Sequence, residues 1–318
     1  MGKFAHVVIG PAGVGKSTFI FKMYDHCLHE GKSVYCINLD PGAETCEYPV
    51  TINICEFMTQ EKMMDVKDIG PNGALIECLQ YVTEEYMDKF TKEIDQSDDA
   101  YVFIDCPGQI ELYTHLFINS SQKYIDPKSE SNNKNNKNNK NNNNNNNNIT
   151  NEEINPIIKF IQIFKDFDYT VTGIFILDIA HLVSVEKFIS SSLACLSAMI
   201  TFQLPWTSVV TKMDLLKVIS PDLKPKHINK LLDGDYGYFI NEIEKNESNP
   251  KLIKLSKLLL SILEEEGLVQ FLPINYLDPN MVQNVISHID RVCGYEKEEP
   301  DEKDYDPITN LEDGFQAL

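Results

Sequence analysis

The chain has 318 residues, a formal net charge of −20 and 42% hydrophobic residues. That length fits one large domain with insertions, and the apolar share is enough to build a core. The acidic balance argues against a nucleic-acid backbone or an anionic membrane as partner, since both attract basic surfaces.

In chain order, residues 5–9 form a short apolar run ending on a glycine, which reads as a buried strand. Residues 16–30 have helical spacing and stop at Gly31. Residues 34–39 read as a second buried strand, 73–89 as a helix, and 101–104 as a strand after the acidic turn at 97–99. A helix is expected over 152–167, a strand over 171–177, a long helix over 183–202 and a strand over 207–211. Residues 252–265 read as a helix, 269–273 as a last short strand and 280–292 as a closing helix. Strands separated by helices of this length make βαβ units. The expected class is therefore α/β, a mostly parallel sheet with helices on both faces. No internal repeat is visible.

Two segments do not fit that pattern. Residues 132–148 are fourteen asparagines and three lysines. Such a tract has no apolar surface to bury, and it reads as a flexible insertion spanning 129–150. Residues 296–318 carry nine carboxylates against two lysines. This acidic tail, 293–318, reads as solvated chain, with docking to a basic partner surface as the sharper alternative. One domain is expected over 1–292.

The eight cysteines form no CxxC pair and read as reduced thiols of a cytosolic or nuclear protein. The N-terminus runs straight into a strand and does not resemble a secretory signal. His6 stands where a myristoylation signal wants Ser or Thr. Apolar runs such as 173–177 stop at charges, here Asp178, so no transmembrane helix is expected.

The chemistry is concentrated in short motifs. Gly10-Pro11-Ala12-Gly13-Val14-Gly15-Lys16-Ser17-Thr18 matches G-x-x-x-x-G-K-[ST] between a buried strand and a helix. The glycines let backbone N–H groups curl around phosphate oxygens, and the helix N-terminus adds a positive dipole end. Lys16 reaches the β- and γ-phosphates, Ser17 places its hydroxyl on Mg²⁺, and the nucleotide is held along Gly13, Val14, Gly15 and Thr18. The expected fold is thus a P-loop NTPase.

A second hydrophobic strand ends in Asp105, where P-loop NTPases put the carboxylate that holds Mg²⁺. Gly108 lets the backbone approach the γ-phosphate, and Gln109 and Glu111 are both candidates to orient the attacking water. A third motif, Thr211-Lys212-Met213-Asp214, follows a strand and resembles N-K-x-D with threonine in the first place. Asp214 can accept from guanine N1–H and the N2 amino group, a pair of donors that adenine lacks. Gly70-Pro71-Asn72 is, taken alone, a turn.

Together with Asn38-Leu39-Asp40-Pro41 and the run from Asp105 to His115, these motifs resemble those of the GPN-loop GTPases over about residues 4–292. The resemblance implies a dimer that binds GTP or GDP with Mg²⁺ and hydrolyses GTP. It implies that Gly70-Pro71-Asn72 of one subunit reaches the partner's active site, with Asn72 on the γ-phosphate or the water and Asp40 near Mg²⁺ and the nucleophile. It also implies pairing with the first paralogue or as a homodimer, and a role in assembly and nuclear import of RNA polymerase II from a cytoplasmic protein that shuttles to the nucleus. Arg291 is the only arginine, so no arginine finger is expected and turnover should be slow. The rival readings are an ATP-dependent MinD-like or kinase-type P-loop protein and a nucleotide-bound scaffold without turnover.

Overall fold

The computed structural model describes residues 2–43, 45–94, 100–110, 155–219, 225–232, 234–266 and 270–295. Seven parallel strands form one sheet in the order β3-β2-β4-β1-β5-β6-β7. They are β1 Phe4–Ile9, β2 Val34–Asn38, β3 Ile52–Asn53, β4 Tyr101–Asp105, β5 Thr170–Asp178, β6 Trp206–Thr211 and β7 Phe271–Pro273. The described helices of eight or more residues are α1 Lys16–His29, α2 Gln60–Lys67, α3 Pro71–Glu85, α4 Met87–Ile94, α5 Pro156–Asp166, α6 Val185–Phe202, α7 Pro225–Leu232, α8 Tyr236–Asn246, α9 Pro250–Glu266 and α10 Pro279–Cys293.

Both faces of the sheet are covered, which is why its strands read as continuous apolar runs and not as alternating ones. On one face Val8, Cys36, Phe103, Ile174 and Val209 pack with Phe19, Ile20 and Met23 of α1 and with Val285, Ile286 and Ile289 of α10. On the other, Val7, Ile37, Val102 and Phe175 meet side chains of α3, α4, α5, α6, α8 and α9. A fully buried phenylalanine such as Phe19 contributes about 1.5–3 kcal/mol by area, and truncating it to alanine costs about 3–5 kcal/mol once the cavity is included. Helix α6 is by length and composition apolar enough to cross a membrane, with a mean hydropathy of 1.3. Here its inner side, including Phe188, Ile189 and Cys195, lies in the core.

The structure differs from the sequence expectation at several elements. The helix expected over 73–89 starts two residues earlier, because Gly70 caps it and Pro71 occupies its first turn, where a missing N–H costs nothing. It ends at Glu85, since Tyr86 leaves helical geometry and stacks on Phe57 and Tyr81. The chain then re-enters a helix that turns Phe90 onto Phe160. Gly70-Pro71-Asn72 is thus the start of a helix. Strand β3, helix α2 and helices α7 and α8 have no counterpart in the sequence reading. The last strand is Phe271–Pro273, and the helix expected from residue 152 is seen from Pro156. Glu111, the asparagine tract and the acidic tail lie outside the described residues.

Candidate functional site

The site lies at the carboxyl ends of the central strands. Strand β1 stands between β4 and β5, with Val8 level with Asp105 and Ile9 level with Phe175. The loop leaving β1 is therefore flanked by the ends of both neighbours. Gly10 has no room for a side chain, because a Cβ would sit 2.2 Å from the Ile176 carbonyl oxygen. Gly15 caps α1 in the left-handed region (φ 93°) and no side chain satisfies the first N–H groups of that helix. Those donors and the positive end of the helix dipole suit an anion. Gly108 packs so closely on this loop that a Cβ would fall 2.9 Å from Ala12 Cα.

A cleft of about 470 Å³ opens over the loop. Of the nucleotide residues expected from sequence, Gly13, Gly15, Lys16, Ser17, Thr18 and Lys212 line it, together with Asp40, Gly108 and Gln109. Val14 is instead buried in the core and Thr211 behind the loop. Thr211 Oγ1 is 2.6 Å from the Val14 carbonyl oxygen and 3.1 Å from that of Leu177, so the hydroxyl ties the phosphate loop to β5. Its single proton does with one group part of what an asparagine amide does with two. Met213 packs against the core, and Asp214 is exposed in the turn after Lys212. Asn72 is exposed at the start of α3. Neither Asp214 nor Asn72 is among the residues lining the cleft of this single chain.

Lys16 is 8% exposed, and its ammonium donates to the carbonyl oxygens of Gly10 and Pro11 at 3.2 and 3.3 Å. Burial lowers its pKa, while Asp105 and Asp40 work in the opposite direction. Asp105 is buried, and burial pushes its carboxyl up to about 6 against the hydrogen bond from Ser17 and the charge of Lys16. Ser17 donates to Asp105 Oδ2 at 2.8 Å, and Tyr48 donates to the same oxygen at 2.9 Å. Asp40 accepts from the Gly42 amide at 2.9 Å, and Asn38 holds that turn by accepting from the Asp40 amide at 3.0 Å. Lys212 donates to the Gly13 carbonyl at 2.5 Å and pairs with Asp178 at 3.5 Å. Asp178 also bonds His181 at 2.7 Å, and this bond lowers its pKa, with Lys212 adding to the effect.

Sequence reasoning missed four members of the site. Glu47 and Gln60 line the cleft, Tyr48 holds Asp105, and Asp178 positions Lys212. None belongs to a contiguous motif. Asp178 alone carried a local signal, as a carboxylate ending a buried strand, the pattern that marks Asp105.

The donor set fits magnesium. Ser17 and Asp105 offer a hydroxyl and a carboxylate, hard oxygen ligands of the kind that this ion takes together with substrate phosphates. Asp40 and Glu47 add negative charge at the same cleft, which a phosphate would tolerate only with a cation beside it.

Phosphate loop, strand-end aspartate and parallel sheet together define a P-loop nucleotide-binding protein. A sequence family described as conserved hypothetical ATP binding protein matches residues 8–123 and 153–295. GPN-loop GTPase 3 of Danio rerio is 33% identical over 99% of this chain and 98% of its own length. The Dictyostelium discoideum protein of that name is 33% identical over 93% of this chain and 88% of its own, and that of Saccharomyces cerevisiae 29% over 95% and 98%. The solved structure of a GTPase in apo form from Pyrococcus abyssi superposes with a TM-score of 0.62 at 16% identity, covering 91% of this chain and 96% of that one. That last likeness speaks for the fold. The chain belongs to the GPN-loop GTPase family.

Proposed function

We propose that the protein binds GTP with magnesium, hydrolyses it slowly and works as a dimeric switch. The observation that carries this reading is the convergence of Lys16, Ser17, Asp40 and Gln109 on one cleft at an uncapped helix N-terminus, with Asp105 buried behind it on the Ser17 hydroxyl. Ser17 and Asp105 would hold magnesium, which would supply charge neutralisation beside the phosphates. The loop amides and Lys16 bind the phosphates and absorb charge that develops on them. Asp40 and Gln109 line the same cleft and are the described candidates to orient the attacking water, with Glu111 the third. Lys212, pinned between Gly13 and Asp178, flanks the base, and Asp214 reads guanine. Asn72 acts on the partner's γ-phosphate or water. Its exposed place at the head of α3 agrees with that role. A neutral amide supplies about 10²–10³ in rate, less than an arginine finger, hence slow turnover.

In the cell, we place the protein with the first GPN-loop paralogue, or as a homodimer, in the assembly and nuclear import of RNA polymerase II. The support for this part is the kinship with GPN-loop GTPase 3.

The test is phosphate release from GTP and from ATP across a range of protein concentrations, alone and with the paralogue. GTP-selective turnover that rises per molecule with concentration or partner is the expected result. Tight GTP binding without turnover would leave a nucleotide-bound scaffold, and ATP preference would overturn the roles given to Lys212 and Asp214.

A further inference from the structure

Helices α2 and α3 share a small apolar contact beside the main core, into which α3 also buries Leu75, Leu79 and Val82. Met63 of α2 packs with Ala74 and Cys78 of α3, apart from the two main cores, and Lys67 pairs with Glu77 at 2.6 Å. The Gly70-Pro71-Asn72 segment sits at the head of α3.

One residue joins this helix pair to the nucleotide cleft. Gln60 is the first residue of α2 and lines the cleft. Its backbone amide donates to the Pro41 carbonyl at 3.0 Å, next to Asp40. Its side-chain amide donates to the Pro71 carbonyl at 2.8 Å, next to Asn72. Its carbonyl oxygen lies over Gly42, where a Cβ would come within 2.5 Å of it. Gln60 thus touches the Asp40-Pro41-Gly42 turn with its backbone and the Gly70-Pro71-Asn72 turn with its side chain. The glycine at 42 leaves the space that the side chain occupies. Its backbone is not in the left-handed region, so the need for glycine there comes from this contact.

The geometry points to Gln60 as a positioning residue that couples the two active sites of the dimer: it links the Asp40 turn of one subunit's cleft to the Asn72 that the same subunit presents to its partner. The inference rests on the reading of Asn72 as a group acting in trans. On that reading, γ-phosphate bound in a subunit's own cleft orders its Asp40 turn. Gln60 then fixes Pro71, and Asn72 is offered to the partner in productive position. Loss of phosphate loosens the same chain of contacts. Each subunit thereby reports its own occupancy to the site across the interface, by hydrogen bonds that stay within one chain.

The experiment is single-turnover GTP hydrolysis by the full-length dimer, with GTP affinity and the unfolding midpoint measured on the same samples. Gln60→Ala should slow hydrolysis about 5- to 10-fold, the effect of one lost positioning hydrogen bond, with affinity within about 2-fold. Its midpoint should stay within about 2 °C of the parent. Gln60→Glu keeps the length but loses the amide donor, and should behave like Gln60→Ala. Gly42→Ala should displace the side chain and give a smaller loss of about 3-fold without touching Gln60 itself. Combined with Asn72→Ala, Gln60→Ala should add nothing to the loss that Asn72→Ala causes alone. If the two losses multiply, Gln60 acts independently of Asn72 and the coupling is wrong while the role of Asn72 stands. If Asn72→Ala turns over like the parent, the in-trans reading itself falls and takes the coupling with it. Weaker GTP binding at unchanged rate would make Gln60 a ground-state contact and overturn the proposal.

Discussion

Lys16 and Lys32 are the two lysines buried among the described residues, and they lie at opposite ends of the sheet. Lys32 is closed. Its side chain is 3% exposed, its ammonium donates to both oxygens of Asp290 at 2.9 and 2.8 Å, and it lies over the rings of Tyr101 and Tyr295, 4.4 and 4.2 Å from their centroids. Tyr101 completes the arrangement by donating to Asp290 at 3.0 Å. Lys16 is open. Among the described residues its hydrogen-bond acceptors are backbone carbonyls, and burial lowers its pKa against the charges of Asp105 and Asp40. A buried charge with all its partners inside the protein holds the fold together. A buried charge short of partners is held in reserve for a ligand that brings its own negative charge.

Substitutions should separate the two roles, and the largest effect belongs to the cleft. Lys16→Met should cut single-turnover GTP hydrolysis by about 10²–10³-fold, as loss of a preorganised charge donor does. Its unfolding free energy without nucleotide should change by less than about 1 kcal/mol, measured by urea denaturation. Lys32→Met should do the reverse. It strands Asp290 and should cost about 3–5 kcal/mol in the same denaturation, with turnover per folded molecule unchanged. A Lys32 variant that folds normally but fails to hydrolyse GTP would erase the distinction.

Acid should probe the closed end. His6 is fully buried beside Tyr101, its Nδ1 is 2.7 Å from Thr172 Oγ1, and burial, with Lys32 nearby, pushes its pKa down to about 3. A group whose folded pKa lies below its unfolded value must stay neutral in the fold. The His6 contribution to stability should therefore be intact above the ordinary histidine value of about 6.5 and be lost as the pH drops toward 3, by about 1.4 kcal/mol per unit, read as the difference from a His6 variant because Asp105, pushed up to about 6, titrates with the opposite sign. Between pH 7 and pH 5 that is on the order of 2 kcal/mol, and His6→Asn should lose this pH slope even though it starts less stable. An unchanged slope in the variant would place the titration elsewhere.

The smallest effect sharpens the open end. Tyr48 is the second donor on Asp105 Oδ2, beside Ser17. Tyr48→Phe removes one hydrogen bond, worth about 1–2 kcal/mol to a charged acceptor, without emptying the space. The magnesium concentration giving half-maximal turnover should shift about 5- to 30-fold, while GTP selectivity over ATP stays the same. A shift in selectivity instead would detach Tyr48 from the metal side of the cleft.

The two ends also differ in how far they could be read in advance. Lys16, Ser17 and the glycines around them are legible because a phosphate loop is a local object. Its amides, its lysine and its helix start within nine consecutive residues. The same holds for Asp105 at the end of an apolar run. Tyr48 and Gln60 come to the site from separate segments, and nothing near them in the chain marks them, whereas Asp178 ends an apolar strand as Asp105 does. Lys32 and Asp290 stand 258 positions apart, and only the packing of α10 against α1 and β1 brings them together. The alternation of strands and helices was readable from periodicity, whereas the order of the strands was not, since apolar period says which residues are buried and not against what.

The sequence by itself thus determined that this chain is a parallel α/β protein with a phosphate loop and a strand-end carboxylate. Those features depend on contacts between near neighbours, and backbone geometry imposes them wherever the residues occur. The tertiary structure alone decided which lysine is closed and which is open, that Thr211 ties the loop to β5, that Gly70-Pro71-Asn72 heads a helix, and that Gln60 bridges that helix and the Asp40 turn. These depend on pairs far apart in the chain. Their meeting is set by strand order and by which helix faces share a core, and no local pattern encodes either.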